Sequence, residues 1–239
     1  MRGKARKQAI STHGPKRGLL ARPLDALVFL LPLLVFYELA SPPSLDRVIA
    51  FDFMRRFFEL FGDVGVLAPG LAVVTILIAT HAASGEKWRV HWKITAMMYV
   101  EAGLLALPLL ILNWTAPLAA ATHDSARIVD ELAIGVGAGI YEELVFRLIL
   151  VSLVVMIGVD LFRLPRTGVV VAAIALSSLL FAAHHHQPIG QEPFELIPFA
   201  FRCIAGVYLT LIFWFRGYGP AAGCHAAYNV ALVTPLLMQ

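Results

Sequence analysis

A chain of 239 residues with 59% hydrophobic and only 15% charged side chains, and a mean hydropathy of +0.77, is too apolar for a soluble domain. It reads as an all-α, polytopic helical membrane protein. The net charge of +3 is unevenly spread: Arg2, Lys4, Arg6, Lys7, Lys16, Arg17 and Arg22 precede an apolar run, a pattern that argues against nucleic acid as a partner and for an N-terminus held in the cytoplasm.

Leu24 to Ala40 is the first expected span, interrupted by Pro32 and stopped by Pro42 and Pro43. No small residue lies three before a cut after Ala40, so this span is expected to be retained rather than removed as a signal peptide. Ser44 to Phe61 alternates phenylalanines with Asp46, Arg47, Asp52, Arg55, Arg56 and Glu59, and predicts a helix lying in the interface plane. Val64 to Ala83 makes a second span. The loop from Glu86 to Lys93, with basic residues beside Trp88 and Trp92, is expected to be cytoplasmic. Ile94 to Leu112 returns across the bilayer with Glu101 inside it, and Asn113 to Ser125 is a turn region.

The fourth element, from about Arg127 to Phe162, would be roughly 54 Å long as a straight helix, against about 30 Å of bilayer core. It therefore protrudes, or breaks near Gly135, Gly137 and Gly139, whose spacing also admits a close neighbouring helix. Val169 to His185, Phe194 to Phe215 and Gly219 to Leu237 complete a bundle of about seven spans with an interfacial helix after the first. The expected organisation is a basic cytoplasmic tail over 1–23, a membrane scaffold over 24–126 and a functional membrane domain over 127–239. Cys203 and Cys224 read as small apolar packing residues.

The fourth element carries Glu142, Glu143 and Arg147 where a bilayer core is expected, and each charge there costs roughly 2.5 to 3.5 kcal/mol before pairing. Glu143 and Arg147 are four apart and meet on one face, so they can pair. Glu142 points about 100° away and has no such partner within its helix. Two more polar clusters follow at helical spacing, Phe181 with His185 and His225 with Asn229. A desolvated glutamate suits a general base acting on water, a histidine can shuttle protons, and an asparagine amide can donate to a developing oxyanion. The same groups could line a transport pathway.

In their order and spacing, Glu142-Glu143-x-x-x-Arg147, Phe181-x-x-x-His185 and His225-x-x-x-Asn229 resemble the three motifs of the CAAX protease and bacteriocin-processing family of intramembrane proteases, which includes the type II CAAX prenyl proteases. The resemblance covers about Asp130 to Val233. It implies an endopeptidase acting on a membrane-associated protein or peptide, with Glu142 activating water, His185 assisting, His225 and Asn229 stabilising the oxyanion, and Glu143 and Arg147 supporting the motif helix. A member of the family that binds a partner without catalysis would not need Glu142. The expected mechanism is metal-free; a zinc ion, if bound, would be held by Glu142, His185 and His225. The expected location is a bacterial cytoplasmic membrane. A straight-helix arrangement puts His185 and His225 on the order of 10 to 15 Å apart, so the site requires a bent core in which Pro188, Gly190 and Pro193 let the connection after His185 sink into the bundle. Of the three consecutive histidines, the periodicity selects His185 as the one sharing the Phe181 face.

Overall fold

The computed structural model describes residues 22–40, 68–115, 128–190 and 192–233. The interfacial helix expected over 44–61, and the tail before Arg22, lie outside these residues. The described chain is helical, with one isolated bridge between His186 and Glu192. We number the helices α1 (Pro23–Ala40), α2 (Ala68–Ser84), α3 (Trp92–Thr115), α4 (Ile128–Leu161), α5 (Arg166–Ala183), α6 (Leu196–Arg216) and α7 (Tyr218–Val233). They correspond in order to the expected spans. Five of them, α1, α3, α4, α5 and α6, are long and apolar enough to cross a bilayer, while α2 and α7 are shorter, with 17 and 16 residues.

α1 starts at Pro23, which suits the first helical position because its missing N–H would be unpaired there anyway. One face of α1, with Ala26, Phe29, Leu30, Leu34 and Tyr37, is buried against the other helices, and the other shows Leu31, Val35 and Leu39. Such exposed apolar rows are what lipid-facing surfaces require, since no water competes for them in the bilayer.

α7 is the most enclosed helix. Every residue from Tyr218 to Ala226 is buried. That compensates for its short length, because protein rather than lipid covers it. It runs against α4 at very close range: a Cβ added at Gly139 would lie 2.5 Å from the Ala226 backbone nitrogen, and one at Gly135 would lie 3.1 Å from Asn229 Cβ. A side chain at Gly139 would push the helices apart. The glycines therefore serve close packing, and α4 does not break at them.

α4 is instead continuous over 34 residues. It is α-helical over Ile128–Glu143, π-helical over Leu144–Val151, α-helical again over Ser152–Val155 and π-helical over Met156–Leu161. The change of winding begins immediately after Glu143. π turns displace backbone groups from the regular ladder and are frequent at functional sites. Here α5 supplies a partner, since Ser177 Oγ donates to the Phe146 carbonyl at 2.8 Å.

Glu101, expected inside the third span, is held by Arg216 at the end of α6 through two bonds, Nε to Oε1 at 2.5 Å and Nη2 to Oε2 at 3.1 Å. The next residue, Gly217, has φ 92°, a conformation that favours glycine and turns the chain directly into α7. The start of α1 and the α2–α3 turn share one end of the bundle, where Arg22 bonds His91 at 2.9 Å. By helix count the α4–α5 turn lies at the same end. Reporters fused after Lys93 and after Arg166 are both expected to read cytoplasmic, because those turns carry the basic residues. A split result would contradict the helix pairing.

Candidate active site

The two glutamates of α4 point to different neighbours, as the helical geometry requires. Glu143 and Arg147 are both fully buried. Glu143 Oε1 lies 3.1 Å from Arg147 Nη1. The guanidinium is stacked over the Phe181 ring, 4.2 Å from its centroid, and Nη2 donates to the Gly206 carbonyl of α6 at 3.4 Å. Arg147 thus ties α4 to α5 and α6 through charge, a ring face and a carbonyl at once. Glu143 has a second partner that spacing did not reveal: His225 Nδ1 of α7 donates to the same oxygen at 2.9 Å.

Glu142 is 6% exposed and faces histidines from two other helices. His184 Nε2 is 3.3 Å from Oε1 and His225 Nε2 is 3.8 Å from Oε2. α7 lies close enough to α4 for His225 to sit between the two carboxylates, and Phe181 has the His185 and His225 rings at 5.4 and 5.7 Å, so both histidines meet one side chain of α5. The connection after α5 also stays inside the protein, with His184 at 7% and His186 at 3% exposure.

The three consecutive histidines take three positions. α5 ends at Ala183, so they lie in the turn beyond it and the regular 100° advance no longer separates them. His184 and His185 both turn Nδ1 back to the Phe181 carbonyl, at 2.5 and 2.9 Å, and their ring centroids are 3.9 Å apart. His186 points elsewhere, donating to the Pro193 carbonyl at 3.1 Å and accepting from Arg202 at 3.3 Å. Arg202 of α6 also grips Glu192 with two bonds, at 2.7 and 2.8 Å. The Glu192 backbone N–H in turn donates to the His185 carbonyl at 3.1 Å. The turn that carries the histidines is thereby fixed to α6.

Asn229 is one turn beyond His225 on α7 and half-buried. One of its amide hydrogens is committed to the Gly135 carbonyl at 3.0 Å, and the other is left.

The proton inventory of the cluster follows from its partners. The Phe181 carbonyl can only accept, so His184 and His185 donate from Nδ1 and turn Nε2 toward the cluster. Glu143 takes the Nδ1–H of His225 in the same way. In its neutral form His185, with Nδ1–H on the Phe181 carbonyl, keeps a lone pair on Nε2. With Nδ1 of His184 committed to the Phe181 carbonyl, its Nε2 faces Glu142 Oε1 at 3.3 Å, an arrangement that calls for a proton or a cation between the two. Glu142, His184 and His185 each offer a ligand atom, all within 4.8 Å of one another. This set fits a zinc-like ion, since imidazoles with Nδ1 anchored on a carbonyl are a common metal-ligand arrangement. It includes His184 where the sequence pointed to His225.

All four residues expected to be catalytic, Glu142, His185, His225 and Asn229, are thus on the elements that converge here, with Glu143 and Arg147 behind them. His184 is the residue that periodicity passed over. Residues 125–231 match the family model described as Type II CAAX prenyl endopeptidase Rce1-like. The segment contains all three motifs, and the family resemblance read from them is borne out there. No curated protein and no solved structure matches the chain.

Proposed function

From the match of residues 125–231 to the type II CAAX prenyl endopeptidase family, which supports a CAAX-type intramembrane protease at the level of the family, we propose that the chain hydrolyses a peptide bond in a membrane-associated protein or peptide by water activated at Glu142. The observation that carries this reading is the arrangement around Glu142, a buried carboxylate with the His184 and His225 rings at 3.3 and 3.8 Å. A purely structural carboxylate would take a committed donor such as Arg147, and Glu143 has taken it.

In this reading Glu142 accepts a proton from water as the oxygen attacks the substrate carbonyl. His185, in its neutral form with Nε2 free, and His184 beside it carry the proton toward the leaving amine. His225 is oriented by Glu143. The second amide hydrogen of Asn229 is the donor to the developing oxyanion. Where a zinc ion is bound, Glu142, His184 and His185 would hold it, and it would polarise the carbonyl and lower the pKa of water. The bilayer is the second partner, holding the membrane-associated substrate beside the bundle.

Cleavage of membrane peptides by the purified protein in proteoliposomes tests this directly. A transporter subunit or a non-catalytic binding protein would give no product. The histidines provide a finer test at matched protein levels. His184→Ala and His185→Ala are each expected to lower the rate by about 100-fold, the scale of a positioned acid–base group. His186→Ala, which only backs the Arg202–Glu192 grip, should cost less than about tenfold. A wild-type rate in His184→Ala would remove it from the reaction.

A further inference from the structure

Far from Glu142 in sequence, the start of α1 meets the α2–α3 turn around a cavity lined by Arg22, Gly85, Glu86, Lys87, Arg89 and His91. One wall is built from the inside. Asp25, which is fully buried, accepts the His91 backbone N–H at 2.8 Å on one oxygen and the ring Nδ1–H at 3.1 Å on the other. His91 Nε2 is then left to accept from Arg22 Nη1 at 2.9 Å. A buried carboxylate commits both oxygens to fixing a histidine, which in turn fixes an arginine on the cavity wall.

The remaining charges of the cavity are only partly matched among the described residues. Arg22 Nε is 3.9 Å from Glu86 Oε2. Lys87 and Arg89 are exposed and make no side-chain hydrogen bond or ion pair with another described residue. With Arg22 set against Glu86 and the buried Asp25 holding His91, Lys87 and Arg89 are the cavity cations left without an acidic partner among the described residues. Trp88 and Trp92, 61% and 71% exposed, flank the same turn. Indoles left in the open at the end of an apolar bundle mark the depth where headgroups meet acyl chains. A cationic cavity at that depth has the chemistry of a phosphate receptor, with guanidinium forks matched to phosphate oxygens.

We propose that this cavity binds the phosphate of an anionic phospholipid headgroup, with Arg22, Lys87 and Arg89 as its donors and Trp88 and Trp92 at its rim. A zwitterionic choline headgroup would bring its own cation against these three and binds less well. The site is separate from Glu142 and does not depend on the proposed peptidase activity.

Quenching of tryptophan fluorescence by brominated phosphatidylglycerol or brominated phosphatidylcholine, titrated into the full chain in detergent micelles, tests the assignment. Phosphatidylglycerol is expected to win by about tenfold, and the double variant Lys87→Gln/Arg89→Gln to lose about 30-fold in apparent affinity for it, at roughly fivefold per basic residue. Equal quenching by the two lipids in the wild type, or a preference that survives in the double variant, would overturn the proposal. If millimolar inorganic phosphate abolishes the preference by occupying the cavity itself, the site belongs to a soluble anion and the lipid assignment fails.

Discussion

Glu142→Gln is expected to abolish hydrolysis, lowering the rate by about 1,000-fold or more, while leaving the thermal unfolding of the protein in detergent near that of the wild type. The exchange keeps the shape of the side chain and its reach toward His184 and His225, but the amide cannot take a proton from water. It also removes a charge from a site where only 6% of the residue is exposed, which favours the folded state. Activity and stability should therefore separate at this residue. A well-folded Glu142→Gln protein with substantial turnover would remove Glu142 from the chemistry.

At Glu143 and Arg147 the two properties should fall together. Both side chains are fully buried, so taking away either partner leaves the other charge without its counterpart, at a cost of about 3 to 5 kcal/mol. That is a large share of the roughly 5 to 15 kcal/mol that keeps a typical domain folded. Arg147→Ala also empties the position over Phe181 and frees the Gly206 carbonyl, loosening α5 and α6 from α4. Glu143→Gln weakens the bond that orients His225. Both variants are expected to give less folded protein and a lower rate per folded molecule, read as melting temperature and cleavage on the same samples. Glu143→Gln combined with Arg147→Met should melt higher than either single variant, because no unpaired charge remains. Failure of the double variant to recover would mean that packing of the arginine over Phe181 matters more than its charge.

The particular residues show what could be read before the fold was known. Pairing of Glu143 with Arg147 is a local property of a helix, and the four-residue spacing announces it. The bond from His225 to Glu143 spans 82 positions and exists only because Gly139 lets α7 come close, so no periodicity encodes it. Helical periodicity singles out His185 only while the helix continues, and it stops before the histidines. α5 ends at Ala183, and in the turn that follows His184 and His185 both reach the Phe181 carbonyl. Pro188, Gly190 and Pro193 did signal a connection able to enter the bundle, and the burial of His184 and His186 agrees with it. The three glycines of α4 allowed a break or a close contact, and packing against α7 and α1 took the second. The π winding after Glu143 has no sequence pattern that announces it.

Cleavage of a peptide bond by water activated at Glu142 is measured most directly by mass spectrometry of a membrane-anchored CAAX-type peptide incubated in ¹⁸O-labelled water with the wild-type protein and with Glu142→Gln in matched proteoliposomes. The wild type is expected to give a shortened peptide whose new carboxyl group carries one labelled oxygen, and the variant no such product above background. An equal yield of labelled product from both proteins would contradict activation at Glu142.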